Sequence, residues 1–377
     1  MKHRIALVAA AVLLAAGAAQ AQNARQTQIG YYNPGDEFRT PATGNNPADG
    51  TPSVQDWRVT QGMMFNGVNF DGNVRLRFDD DGSVADGGFV CSGTLLWGGQ
   101  YVLTAAHCAD GNTAPGFVME ISSGIYGNVA ATTQSIQAAN VYVHPGWTGG
   151  LGTGADIAVI KLTTPILGTT GFKLSTTNDV GKTMLIMGHG TTQLGNVASA
   201  TNWNDYGWAH YGWNVADVTD KAFNDAWDNT GDNTYGEGYV FDYDALTNAA
   251  THNTIQRLGD LRGGIFSSNE GLGIPEAITA GGDSGGGDFV WNGSEWLLSG
   301  VHSWGWQFCG GRISPTCDLT TRNGSSWGDI SGSTAVFSHV QWIQSITGPI
   351  PEPGTYALMA LGLMGVGAVA RRRQRQA

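Results

Sequence analysis

The 377 residues include 41% apolar side chains, enough for a large core, and only 13% charged ones, with 57 glycines and a net charge of −12. So acidic a chain repels phosphate backbones, which excludes nucleic acid as a partner. The glycines follow no every-third-residue period, which excludes collagen, and the apolar content excludes disorder of the whole chain.

Residues 1–21 begin with Lys2, His3 and Arg4, run apolar from Ile5 to Ala19 and end in Ala19-Gln20-Ala21. A basic start, a short apolar middle and an A-x-A end predict a cleaved secretory signal. The run falls short of the ~20 residues a spanning helix needs. Residues 22–58 contain Pro34, Pro41, Pro47 and Pro52 without periodicity and are expected to be a pro-segment or linker.

From Val59 onward, short β-prone runs alternate with glycine turns. They are Val74–Phe78, Gly93–Trp97, Tyr101–Leu103, Val141–Val143, Ile157–Ile160, Met184–Met187, Trp296–Leu298 and Ala335–Phe337. Many short strands of this kind predict an all-β sandwich or barrel. Residues 195–275 differ, being rich in Asn, Asp, Trp and Tyr, and are expected to be a long insertion with a small satellite core. Its aromatics could also stack on sugar rings. Within Phe337–Ile346, Val340, Ile343 and Ile346 have helical spacing and predict a closing helix.

The chain then changes character. Pro351-Glu352-Pro353 precedes an apolar stretch from Tyr356 to Ala370 and the cluster Arg371-Arg372-Arg373. This three-part tail resembles the PEP-CTERM sorting signal of bacterial proteins. The resemblance implies recognition by an exosortase-type enzyme at the inner membrane, with transient anchoring through the apolar helix. It places the body in the cell envelope, at the surface or outside the cell.

Cys91, Cys108, Cys309 and Cys317 all lie in the exported body. An even count in an oxidising compartment predicts two disulfides, with three possible connectivities. None has C-x-x-C spacing, so no zinc site is expected. The carboxylates Asp79, Asp80, Asp81, Asp225, Asp228, Asp232, Asp242 and Asp244 fit no EF-hand spacing. They read as a solvated acidic surface. No cofactor is expected, and structural calcium has no support in the pattern.

Amide hydrolysis near neutral pH needs a nucleophile, a base, a group orienting the base, and donors for the oxyanion. Leu103-Thr104-Ala105-Ala106-His107-Cys108 offers a histidine. Ala155-Asp156-Ile157-Ala158-Val159-Ile160-Lys161-Leu162 offers an aspartate, and Gly281-Gly282-Asp283-Ser284-Gly285-Gly286-Gly287 a serine. His, Asp, Ser is one of the chain orders in which a catalytic triad occurs.

On these motifs residues 59–347 resemble the chymotrypsin/trypsin-like serine proteases. Ser303-Trp304-Gly305 and Val336-Phe337-Ser338-His339-Val340 echo the family's substrate strand and last strand. The resemblance implies a two-barrel fold with a long insertion and a C-terminal helix. It implies Ser284 as nucleophile, His107 as base, Asp156 as its orienter, and the N–H groups of Gly282 and Ser284 as oxyanion hole. Ile278, Ser303, Trp304, Gly305 and Ala335 would line the primary pocket. Because Ile278 is not acidic, an apolar residue is expected before the cut bond. Cys91 and Cys108 match the family disulfide, which leaves Cys309 to pair with Cys317. Cutting after Arg58 would free Val59 to pair with Asp283. Ala280 and Gly287 depart from the family pattern and are expected to loosen the cleft wall.

The expected protein is thus an exported, monomeric serine endopeptidase acting on protein or peptide substrates. The domain plan is a signal at 1–21, a pro-segment or linker at 22–58, a protease domain at 59–347 and a sorting tail at 348–377. The alternative is a catalytically weak relative acting as a surface or exopolysaccharide-binding protein.

Overall fold

The computed structural model describes residues 26–27, 30–32, 57–60, 62–79, 88–111, 118–123, 132–136, 140–151, 153–192, 195, 208–227, 236–244, 252–264, 268, 271–273, 275–306 and 325–348. The secretory signal, the sorting tail, Cys309, Cys317, Asp80, Asp81, Asp228 and Asp232 lie outside the described residues. The chain divides into two units, Met1–Val340 and Gln341–Ala377.

In the first unit, β-branched and apolar runs bounded by glycine turns fold as strands. They are β1 (Gln26–Thr27), β2 (Gly30–Tyr32), β3 (Asn73–Asp79), β4 (Gly88–Leu95), β5 (Tyr101–Thr104), β6 (Val118–Ser123), β7 (Thr132–Ile136), β8 (Val141–Val143) and β9 (Ala158–Lys161). After these come β10 (Lys173–Leu174), β11 (Thr183–Gly188), β12 (His210–Val215), β13 (Val218–Thr219), β14 (Gly238–Asp242), β15 (Gly287–Trp291), β16 (Trp296–Trp306) and β17 (Ile330–Ala335). The helices are α1 (Ala106–Ala109), α2 (Asp220–Trp227), α3 (Thr254–Leu261), the 3-10 turn Val336–His339 and α4 (Val340–Thr347).

The strands form two sheets, as a trypsin-like fold requires. One runs β7-β6-β3-β4-β5-β9-β8, with β2 added on β4. The other runs β12-β11-β15-β16-β17-β14-β13, with β1 and β10 added on β16. Among the described residues the strands named above pair antiparallel except β10 with β16. The sheets meet where Ser92 of β4 donates its N–H to the Ser284 carbonyl at 2.7 Å. The Ser92 hydroxyl also donates to the Gly282 carbonyl and accepts the His189 N–H, both at 2.9 Å. Phe70, Phe172 and Phe289 pack edge-on or tilted, with centroids 4.6–4.9 Å apart.

Two sequence expectations need correction. Ala335–Phe337 is not a strand: β17 ends at Ala335 and the chain turns into the 3-10 helix. The last strand is the Ser- and Gly-containing run Ile330–Ala335, whose low β-propensity hid it. Nor is 195–275 a loop laid outside the body. It supplies β12, which pairs along all of β11, and β14, which pairs along β17. Its helices α2 and α3 do not close a separate satellite core. Phe223, Ala226, Ile255 and Leu258 pack with Trp304, Trp306 and Ile330 of the main sheet. Among its aromatics, Tyr211 sits 4.9 Å from Phe65 and 5.6 Å from Trp57, so it serves internal packing.

The second unit is described through α4, most of which it contains. Ile343 and Ile346 lie on one helical stripe, as their spacing predicts.

Candidate active site

His107 lies on α1, the single turn entered from β5. Asp156 lies just before β9, which pairs with β5 in register Thr104–Ala158. That pairing brings two residues 49 apart in sequence together. His107 Nδ1 is 2.7 Å from Asp156 Oδ2, and the His107 main-chain N–H donates to Asp156 Oδ1 at 2.9 Å. Thr334 Oγ1 donates to the Asp156 carbonyl at 3.0 Å, fixing the backbone behind the carboxylate.

Ser284 comes from the other sheet, at the turn before β15. Gly285 beside it has φ +79°, and a Cβ there would meet Thr104 Oγ1 at 2.0 Å. Glycine at this position therefore lets the serine turn close on the histidine loop. Cys108 Sγ lies 3.6 Å from the Ser284 carbonyl oxygen. The Cys91–Cys108 disulfide ties β4 to α1 beside this contact, as the resemblance implied.

A carboxylate only accepts, so the tautomer of His107 that donates from Nδ1 to Asp156 Oδ2 is the one whose Nε2 offers a lone pair. His107 Nε2 and Ser284 Oγ are both buried without a hydrogen-bond partner among the described residues. Gly282 has φ +101°, and a Cβ there would stand 2.8 Å from Gly190 Cα. Among the described residues no acceptor takes the main-chain N–H of Gly282 or Ser284.

The pocket residues divide. Ile278 packs against the apolar cluster that contains Ala335, Val290 and Tyr239, so expected floor and wall share one environment. Ser303 turns its hydroxyl onto Asp156 Oδ2 at 2.5 Å, which makes its side chain a brace for the carboxylate, not a pocket wall. Trp304 is buried under α2 and α3, with its indole over Gly332. Gly305 pairs with Ser331 of β17 on one side and with Gln26 of β1 on the other. Gly287 does not loosen the wall: a Cβ there would meet Thr94 Oγ1 at 2.7 Å, and β15 holds it in register with Met187 and Val301.

Asp283 and Val59 are not paired. Asp283 accepts from Gly190 N and Ala280 N, each at 2.8 Å, and burial raises its carboxyl above the usual range. The Val59 N–H donates to the Ala209 carbonyl at 2.7 Å. Behind Ser284 lies a buried pair missed by sequence reasoning, His302 Nε2 with Asp288 Oδ1 at 2.8 Å. Burial alone would lower His302, but the Asp288 charge and hydrogen bond outweigh it and raise the imidazole. Ser92 was also missed. Its one signal is a polar residue inside the apolar run Val90–Leu95, which demands a buried partner.

The acidic residues also need correction. Asp225 pairs with Lys221 on an exposed helix face. Asp242 and Asp244 are not solvated: they are 1% and 3% exposed, grouped with Asp217 and Glu276. Among the described residues the cluster with metal-like spacing is Cys91, His107 and Cys108, whose sulfurs are already joined as a disulfide.

Residues 74–207 match the family described as trypsin. Residues 349–374 match the PEP-CTERM protein-sorting motif. No curated protein matches the chain. The trypsin match contains His107 and Asp156 and stops before Ser284, whose carbonyl oxygen lies 3.6 Å from Sγ of Cys108, the residue after His107. The trypsin match, on a two-sheet β fold, supports a trypsin-like domain of the serine protease type, and the PEP-CTERM match implies export and envelope sorting. Among the described residues no helix is long and apolar enough to cross a membrane.

Proposed function

We propose that this chain is an exported serine endopeptidase with Ser284, His107 and Asp156 as its triad. The observation that carries the reading is the 2.7 Å contact of His107 Nδ1 with Asp156, with Nε2 and Ser284 Oγ both buried without a hydrogen-bond partner among the described residues. His107 Nε2 takes the Ser284 proton as Oγ attacks the substrate carbonyl carbon. The N–H groups of Gly282 and Ser284 hold the resulting oxyanion. His107 then gives the proton to the leaving amine, forming the acyl-enzyme. Water, deprotonated by His107, attacks the ester, releases the acid product and restores Ser284.

The apolar surroundings of Ile278 and Ala335 support an apolar residue on the acyl side of the cut bond. The PEP-CTERM match supports sorting by an exosortase-type enzyme to the cell surface or matrix. The test is digestion of a peptide library by the purified exported protein beside its Ser284→Ala variant. Cleavage after apolar residues, lost in the variant, is expected. Strict cleavage after Arg or Lys would overturn the preference, and undiminished cleavage by the variant would overturn the mechanism.

A further inference from the structure

The substrate side of this cleft has an edge strand. At Trp304 and Gly305, β16 pairs on one side with Gly332 and Ser331 of β17. Ser303, the next residue back along β16, holds Asp156. The other side of β16 is therefore the edge on which an extended peptide adds as a strand beside the triad. That side is occupied. β1, from the segment read as a pro-segment or linker, pairs antiparallel with it in register Gln26–Gly305 and Thr27–Trp304.

The same segment continues onto the opposite sheet. β2 pairs antiparallel with β4, Gly30 with Val90 and Tyr31 with Phe89. Val90 precedes Cys91, which is bonded to Cys108, and Ser92, which holds the Ser284 carbonyl. One strand pair thus lies on each side of the seam where His107 and Ser284 sit. Three peptide bonds join Thr27 to Gly30, a link that spans at most about 11 Å. A linker has no reason to satisfy main-chain partners on both sheets at this place. A bound substrate has.

We propose that β1 and β2, residues 26–27 and 30–32, form an intramolecular occupant of the substrate cleft, so that the chain retaining them is self-inhibited. The proposal rests on the protease reading above. An occupant tethered to its own site competes at an effective concentration near the mM range, so dilute peptide substrates are held off without any change to the triad. The device differs from a cut at Arg58–Val59, because it acts through main-chain pairing on β16 and β4 and not through Asp283.

The experiment compares three forms of the exported chain: unaltered, lacking residues 26–32, and the double variant Gln26→Pro/Thr27→Pro, in which β1 has no main-chain N–H left to donate to the ladder. Each is normalised to serine labelled by a fluorophosphonate, then assayed on an extended peptide amide. The expected result is a KM at least about tenfold lower in both altered forms, with kcat per labelled serine unchanged. Free peptide of residues 22–32 should inhibit the deleted form competitively. An unchanged or higher KM in both, with no inhibition by the free peptide, would overturn the self-inhibition and leave the protease reading standing. Failure of all three forms to label would overturn the protease reading, and this proposal with it.

Discussion

Ser303 Oγ and His107 Nδ1 converge on the same carboxylate oxygen of Asp156, at 2.5 and 2.7 Å. With Oδ1 taken by the His107 N–H, the carboxylate is held from three directions while burial removes water. Such a carboxylate fixes the imidazole plane as well as its tautomer. Ser303→Ala is therefore expected to lower kcat about tenfold, roughly 1.4 kcal/mol of barrier, with KM unchanged. Ser303→Thr should restore most of it. Steady-state kinetics on one peptide amide would decide; an unaltered kcat in Ser303→Ala would contradict the bracing role.

Gly282 combines a left-handed φ of +101° with contact against Gly190. A methyl group there strains the backbone and displaces the N–H assigned to the oxyanion. Gly282→Ala should cost about 10²–10³ in kcat, the range for loss of one such donor. Circular dichroism should show the fold retained. A variant within threefold of the parent would exclude Gly282 from the oxyanion hole.

Asp217, Asp242, Asp244 and Glu276 make stability depend on pH. Burial pushes Asp242 up to about 6 and Glu276 to about 7. Asp244 rises to about 10 through burial and the Asp242 charge. Unfolded carboxylates titrate near ~4, so the folded chain binds more protons above that pH. The stability these groups contribute is full below ~4 and is lost as pH rises through 6 and 7. Asp242→Asn should make the melting temperature fall less than in the parent between pH 5 and 8. Identical pH dependence in the two proteins would contradict it.

The placement of β1 and β2 on either side of Ser284 predicts slow self-processing. Ser284 Oγ would attack a carbonyl carbon between Thr27 and Gly30, the following amine would leave with the His107 proton, and water would free the acyl fragment. Purified protein should shorten at a rate independent of its concentration, with a new N-terminus at residue 28, 29 or 30. Ser284→Ala should stay intact. Active, fluorophosphonate-labelled enzyme that keeps residues 22–32 indefinitely would contradict the prediction.

His107, Asp156 and Ser284 could be singled out as candidates because each stands in a short motif and they follow a chain order in which a triad occurs. Local alternation also located β3, β5, β8 and β11. The rest depended on tertiary contacts that no local pattern carries. Ser303 reads as a pocket residue until the fold turns its hydroxyl toward an aspartate 147 positions away. Asp242 and Asp244 read as surface because acidic residues rarely lie buried. β12 and β14 were hidden in a stretch whose Asn, Asp and Gly content suggested a loop. β1 and β2 are too short to show periodicity at all, and main-chain pairing with distant strands alone defines them.

The most direct test of the central claim is active-site titration of the exported protein with a fluorophosphonate, with peptide mapping of the label and a Ser284→Ala control. Stoichiometric modification of Ser284, prevented when Asp156 is changed to Asn or slowed at least a hundredfold, is the predicted result. A Ser284 that the reagent does not modify, in a protein shown to be folded and lacking residues 26–32, would contradict the triad.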